Sequence, residues 1–550
     1  MMDSVKSVVC ATPCGKVRGK LLEGSSGAGS VAGCGLASGA GGAGGAAIFQ
    51  GIPYAITERF ELPVQVRSWD DVPGFDDSSS FEELDCWQYS AFYDESKDSN
   101  SFYYKEFRSD RQFKYVESPM TLNIVCPWDG GQEISGLEKT GREAGESSCA
   151  SGRPVVMFFH GGGHETGTVG ELPYGTCTEY AKRGVVFVSV GYRLNVFSLF
   201  RGKNYGLHDQ ITAIHWVRDN IAAFGGNPEQ IILMGQSAGA MSITALCYSQ
   251  KLKGLVKGAV LMSGGGCIPK LAGPWPKEKC DAFWDGVRAK AGALAGKNAL
   301  SGAGALSGVD GLSALGATAS VNAISDEDLK KVSAETLWRA WYAQTQEGTN
   351  YHLRQPAIDG DIIPDYPQEI LRRGNDLDIP LIFGVTAQDF LPVIMYEMAL
   401  SWGKRNAKKG RCPVYGYMVR RTPPGNSYKA FHGIDLWYMF GNLNQSWRPF
   451  TKEDYALSAR MIDHIAAFAR TGNPNAPGLP LWPAISKDCH KFMCFDVGAV
   501  GAGVAGDDSS GGGLPAGSGA DAGVGPAELL TPHQCRKLVW HTALKDKGPL

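Results

Sequence analysis

The stretch Ile231-Ile232-Leu233-Met234, running directly into Gly235-Gln236-Ser237-Ala238-Gly239-Ala240, constrains this chain more than any other. Four apolar residues in a row read as a strand buried on both faces, and the Ala-containing run after Gly239 reads as a helix starting near Ala240. A strand that becomes a helix across so few residues leaves its middle residue on a strained corner. Only small neighbours, here Gly235 and Gly239, let the helix pack close while a side chain stays exposed above the sheet. Gly-x-Ser-x-Gly by itself arises often in Gly-rich chains, but between a strand and a helix it reads as a nucleophile elbow carrying Ser237. The same turn aims the Ala238 N–H and the positive end of the helix at any oxyanion formed on Ser237.

Other apolar runs end in equally informative turns. Pro154-Val155-Val156-Met157-Phe158-Phe159 empties into His160-Gly161-Gly162-Gly163-His164, where glycines allow backbone N–H groups to approach a ligand unobstructed. Val185–Val190 leads to Gly191-Tyr192-Arg193-Leu194-Asn195, with Arg193 expected to pair with an acid near the elbow. Ala259-Val260-Leu261-Met262 ends at Ser263-Gly264, and Pro380–Thr386 delivers Gln388-Asp389-Phe390. Strands alternating with helical runs predict a doubly wound, mostly parallel α/β sheet with function at the strand C-terminal ends. A helical cap is expected from about Pro269 to Arg354, and a late amphipathic helix over Tyr455–Thr471, with Met461, Ile462, Ile465 and Phe468 facing the core.

Several of these motifs together resemble the type-B carboxylesterase and cholinesterase family of α/β-hydrolases, in particular its bacterial para-nitrobenzyl-esterase-like members. They are the run from Asn204 to Gly226, with Phe224-Gly225-Gly226 at a set distance before the serine, the His160 glycine motif, Gly191-Tyr192-Arg193-Leu194-Asn195, and Ala430-Phe431-His432-Gly433-Ile434-Asp435. The resemblance implies one α/β-hydrolase domain over residues 1–550 and a serine hydrolase that cleaves carboxylic esters through an acyl-enzyme. It implies Ser237 as nucleophile, His432 as base and Asp389 as the acid, with Gly162, Gly163 and Ala238 forming the oxyanion hole and Ser263 supporting the network. Of the ten histidines only His432 has the His-Gly-x-Asp context. The family usually places Glu followed by Gly where this chain has Asp389-Phe390. Counting from Gly384-Val385-Thr386 favours Asp389, while Glu397, about two helical turns on, and Asp435, three residues past His432, remain the alternative carboxylates.

Resemblance also places a disulfide partner where Pro119 stands, which leaves Cys86 without one. The choline-binding tryptophan would fall near Ser109 or Asp110, and no tryptophan is there, so a choline ester is not expected. No metal or organic cofactor is implied. Amides and carbamates would use the same residues as esters. Non-catalytic binding proteins of this family lack a triad member, whereas all three are present here.

Composition narrows the partners. A formal net charge of −3 with both signs interspersed excludes a nucleic-acid footprint and favours a small neutral substrate. No leader-like apolar segment opens the chain and no run is long enough to span a bilayer, so a cytoplasmic location without membrane insertion is expected. The fourteen scattered cysteines read as reduced thiols, since the pairs Cys10/Cys14 and Cys489/Cys494 lack the further ligands of a zinc site. Glycine supplies 72 of 550 residues, roughly 13% against a usual ~7%. Much of the excess sits in three Gly/Ala-rich tracts, about 23–46, 291–323 and 498–526, predicted to be disordered loop insertions, the middle one with a helical remnant.

Overall fold

Twelve strands of the described residues pair into one sheet, and their buried apolar runs explain why. The computed structural model describes residues 7–22, 45–73, 89–91, 102–108, 114–128, 152–265, 273–300, 323–348, 355–497 and 528–530. In chain order the strands are β1 (Ser7–Thr12), β2 (Gly15–Leu22), β3 (Gly45–Pro53), β4 (Thr121–Trp128), β5 (Arg153–Phe159) and β6 (Val186–Val190). They continue with β7 (Gly226–Gln236), β8 (Gly258–Met262), β9 (Leu381–Thr386), β10 (Val414–Val419), β11 (Phe492–Phe495) and β12 (Glu528–Leu530). The spatial order is β1-β2-β3-β4-β6-β5-β7-β8-β9-β10-β11-β12.

Pairing is parallel from β6 through β11 and antiparallel at both flanks. Every residue of β6, β8, β9 and β10 is buried, as parallel strands covered on both faces require. The covering includes the helix Lys452–Thr471, which buries Leu457, Met461, Ile462, Ile465 and Phe468; each such side chain contributes about 1.5–3 kcal/mol over its exposed state. That helix begins three residues before Tyr455, because a capping box between Thr451 and Asp454 satisfies its first N–H groups.

Outside the sheet, the helices Lys277–Leu300 and Ala334–Thr345 form a second apolar cluster with Phe60, Phe197 and Tyr205, built on Trp284, Leu337, Trp338 and Trp341. This is the helical cap. The Gly/Ala tracts need one correction: Gly45 and Ala46 belong to β3, paired with Trp128 and Pro127 of β4. In the middle tract the expected helical remnant is residues 291–300, which continue the helix Lys277–Leu300 and pack Ala291, Ala293 and Leu294 into the cap cluster. Alanine is the strongest helix former, so a Gly/Ala/Leu run attached to an existing helix propagates it. Residues 23–44, 301–322 and 498–526 lie outside the described residues, as do Cys86, Ser109 and Asp110. Among the described residues Cys10, Cys14, Cys126, Cys177, Cys247, Cys280, Cys412, Cys489 and Cys494 stand outside disulfides.

Candidate active site

Five neighbouring parallel strands, β5-β7-β8-β9-β10, carry the candidate residues just beyond their C-terminal ends. Gly162 and Gly163 follow β5, Ser237 follows β7, Ser263 follows β8, Asp389 follows β9, and His432 lies on the loop after β10. Residues from 162 to 432 therefore converge on one edge of the sheet, although the helical cap is inserted between β8 and β9.

Ser237 has φ 53° and ψ −121°, a conformation that L-residues rarely adopt. Its N–H donates to the Met262 carbonyl at 2.8 Å, tying the elbow to the end of β8. The helix Ala238–Cys247 starts at the next residue, two earlier than the sequence suggested. It can do so because position 239 has no side chain: a Cβ there would collide with the carbonyl oxygen of Phe159.

The acid and the imidazole are brought together by backbone pairing. Gln388 and Phe431, each one residue before Asp389 and His432, form a parallel β-bridge, with the Gln388 N–H donating to the Ala430 carbonyl at 2.9 Å. The Gln388 side chain closes the same link, its Oε1 accepting from the Ala430 N–H at 2.8 Å. This close approach lets an aspartate, one methylene shorter than glutamate, reach the ring: Asp389 Oδ1 lies 2.6 Å from His432 Nδ1. Asp389 also accepts from the Phe390 N–H at 2.9 Å, the Thr386 N–H at 3.2 Å and the Thr386 hydroxyl at 3.1 Å. Burial opposes its charge, but the imidazole and these donors outweigh burial and hold the carboxyl below its ordinary value. The Ser263 hydroxyl makes no hydrogen bond among the described residues, yet lies near enough to contribute to that lowering.

The other two carboxylates are engaged elsewhere. Asp435 Oδ2 accepts from the Tyr417 hydroxyl at 2.9 Å, and burial, with the Asp389 charge beside it, pushes its pKa up to about 7. Glu397 sits on the helix Pro392–Lys409. Neither is hydrogen-bonded to His432. Since the Asp389 carboxylate can only accept, His432 carries its proton on Nδ1 and presents a bare Nε2. The Gln236 amide nitrogen lies 3.2 Å from that nitrogen. The Ser237 hydroxyl makes no protein hydrogen bond among the described residues.

Gly162 and Gly163 both have positive φ, 108° and 67°. A Cβ at Gly162 would strike the Thr166 carbonyl, and the Gly162 carbonyl accepts the N–H groups of Glu165 and Thr166, each at 3.0 Å. The N–H groups of Gly162, Gly163 and Ala238 are left without a protein acceptor among the described residues. Two histidines fix this loop. His164 Nε2 bonds the Ser242 hydroxyl at 3.0 Å, fastening the loop to the elbow helix, and the His160 carbonyl accepts from the Tyr192 hydroxyl at 2.6 Å. Burial lowers both imidazoles to about 4, so they stay neutral. Arg193 meets Asp209, on the helix Tyr205–Asn220 leading to the elbow, through bonds of 2.9 and 2.7 Å.

These elements surround a cavity of about 260 Å³, reached by Ser237, His432, Gln236 and the oxyanion-loop glycines. Its wall also includes the aromatic side chains of Tyr103, Tyr104, Phe107, Tyr174 and Phe390 and the charged Arg108 and Glu171. Gln236, Phe390 and the His164–Ser242 tie went unassigned in the sequence reading; the departure from Gly after the acid was the one signal pointing at Phe390. Among the described residues no helix is long and apolar enough to cross a membrane.

The profile of the carboxylesterase family matches residues 9–408 and 394–502. The chain belongs to the carboxylesterase family. Among curated relatives, the para-nitrobenzyl esterase of Bacillus subtilis (strain 168) is 25% identical over 512 residues, covering 82% of this chain and 91% of its own. The liver carboxylesterase 1 of Oryctolagus cuniculus is 25% identical over 541 residues, covering 82% and 86%. The pyrethroid hydrolase Ces2e of Rattus norvegicus is 28% identical over 411 residues, covering 64% and 68%. A solved PNB esterase structure superposes with a TM-score of 0.60 at 23% identity, covering 89% of this chain and 96% of that one, and so shares the α/β-hydrolase fold. This carboxylesterase is a serine hydrolase of carboxylic esters.

Proposed function

We propose that this carboxylesterase cleaves small, neutral carboxylic esters with Ser237 as nucleophile, His432 as general base and then general acid, and Asp389 as the carboxylate that orients the imidazole. The observation that carries this is the 2.6 Å Asp389–His432 bond next to a serine held on a strained elbow. The Ser237 hydroxyl gives its proton to His432 Nε2 as its oxygen bonds the carbonyl carbon, with the Gln236 amide yielding that nitrogen. The tetrahedral oxyanion is received by the N–H groups of Gly162, Gly163 and Ala238, which have no other acceptor among the described residues to release. His432 hands the proton to the departing alcohol, and water, deprotonated in the same way, frees the acid. Ser263 supports Asp389 from the end of β8.

We further infer a single catalytic domain with the cap as an insertion, acting in a cytoplasmic, reducing setting. The free thiols among the described residues support that setting. A chromogenic short-chain ester assay tests the reading: the purified chain should turn over the ester, and Ser237→Ala should reduce turnover to background while keeping its circular dichroism spectrum. Equal turnover by the variant would refute it.

A further inference from the structure

Phe390 is 50% exposed although its neighbours Asp389 and His432 are buried. Its centroid lies 4.4 Å from that of the His432 imidazole, at an interplanar angle of 37°. Tyr103 stands near both, 6.3 Å from Phe390 and, edge-on, 6.5 Å from His432. Both rings face the cavity that holds Ser237. The Phe390 N–H bond to Asp389 fixes the backbone from which the ring projects. An aromatic face left open inside a cavity is apolar surface waiting to be covered.

Which part of the substrate covers it follows from the reaction. On the mechanism proposed above, on which this inference rests, His432 Nε2 must protonate the oxygen of the leaving alcohol. That oxygen therefore departs on the imidazole side of Ser237, and the carbon skeleton attached to it meets what lines that side. The charged part of the wall is elsewhere: Arg108 bonds Glu171 at 3.1 Å and the Thr166 hydroxyl at 2.8 Å, and Thr166 braces the oxyanion loop. We propose that Phe390, with Tyr103, is the specificity-determining surface for the leaving alcohol and selects esters of aromatic alcohols over saturated ones of equal size. Two flat rings near the imidazole offer offset and edge-to-face contacts to a third ring, and a saturated ring of the same size makes the same burial without them. The selectivity expected from such contacts is about tenfold.

The test compares benzyl acetate with cyclohexylmethyl acetate, which share an acyl group and differ only in ring aromaticity. Wild type should favour the benzyl ester about tenfold in kcat/KM. In Phe390→Leu this preference should fall to within about twofold, with the saturated ester still hydrolysed and the ranking of acetate, propionate and butyrate esters of one alcohol unchanged. Benzyl alcohol should also inhibit wild type at a several-fold lower concentration than cyclohexylmethanol, a measurement that does not depend on the variant folding. Equal inhibition by the two alcohols, equal wild-type rates, or an unchanged preference in Phe390→Leu would overturn the inference while leaving the triad intact. Failure to hydrolyse either ester would overturn it together with the mechanism on which it rests.

Discussion

The side-chain amide nitrogen of Gln236 lies 3.2 Å from Nε2 of His432, the nitrogen that takes the serine proton in the proposed mechanism. A neutral amide can donate its NH2 to a neutral imidazole and, after a half-turn, offer its oxygen to an imidazolium, so it suits both states of the ring without a change of charge. Gln236→Glu would put a carboxylate at that nitrogen, favouring the imidazolium. The acidic limb of the kcat/KM profile should move to higher pH in this variant, and Gln236→Leu should lower kcat without comparable movement. Superimposable profiles for wild type and Gln236→Glu would show that the amide does not face the working imidazole.

The carboxylate assignment makes a sharper demand. Asp389→Asn removes the charge that stabilises the imidazolium and disturbs the tautomer, with an expected loss in kcat on the order of 10⁴. Asp435→Asn and Glu397→Gln should each cost far less, since neither carboxylate bonds His432. Steady-state rates of the three purified variants decide it. A near-normal Asp389→Asn beside a disabled Asp435→Asn or Glu397→Gln would move the acid to another residue.

Asp435 should instead be visible in stability. Its carboxyl is raised by burial and by Asp389 from the ordinary 3.8 to about 7. The folded state thus holds the proton more tightly than the unfolded chain, and the associated stability, fully present below 3.8, is lost as pH rises toward 7. Asp435→Asn keeps an oxygen for the Tyr417 hydroxyl but cannot ionise. The stability of the variant relative to wild type, from urea melts, should climb between about pH 4 and 7 and level off above. A difference that stays constant across that range would mean that Asp435 is charged in the fold.

What the sequence exposed and what it hid divide along physical lines. Ser237 and the glycine loop were legible because turn chemistry is local: an apolar run and a small-residue corner leave a pattern in consecutive residues, whereas His432 was singled out only by its resemblance to the family's histidine loop. Asp389 was selected by counting to the position the resemblance implies, and the Gln388–Phe431 bridge that brings its short side chain to His432 joins residues 43 apart, which no local pattern records. Gln236 lies beside Ser237 but touches a ring 196 residues away. Phe390 and the His164–Ser242 tie were hidden for the same reason. Strand limits suffered from polarity: β7 starts at Gly226 because Gly226 already pairs with Arg153, although Asn227, Glu229 and Gln230 break the apolar run and the register shifts before Ile231. Backbone ladders do not require apolar side chains.

The most direct measurement is the site of covalent capture. An organophosphate transfers its phosphoryl group to an activated serine oxygen and expels its own leaving group, so it reports the nucleophile independently of any substrate preference. Incubating the protein with a fluorinated organophosphate, titrating residual esterase activity and mapping the adduct by tandem mass spectrometry should give one phosphoryl group per chain. It should sit on Ser237, with labelling slowed severely in Asp389→Asn and absent in Ser237→Ala. A stoichiometric adduct on any other residue, or full inactivation with Ser237 unmodified, would contradict the account.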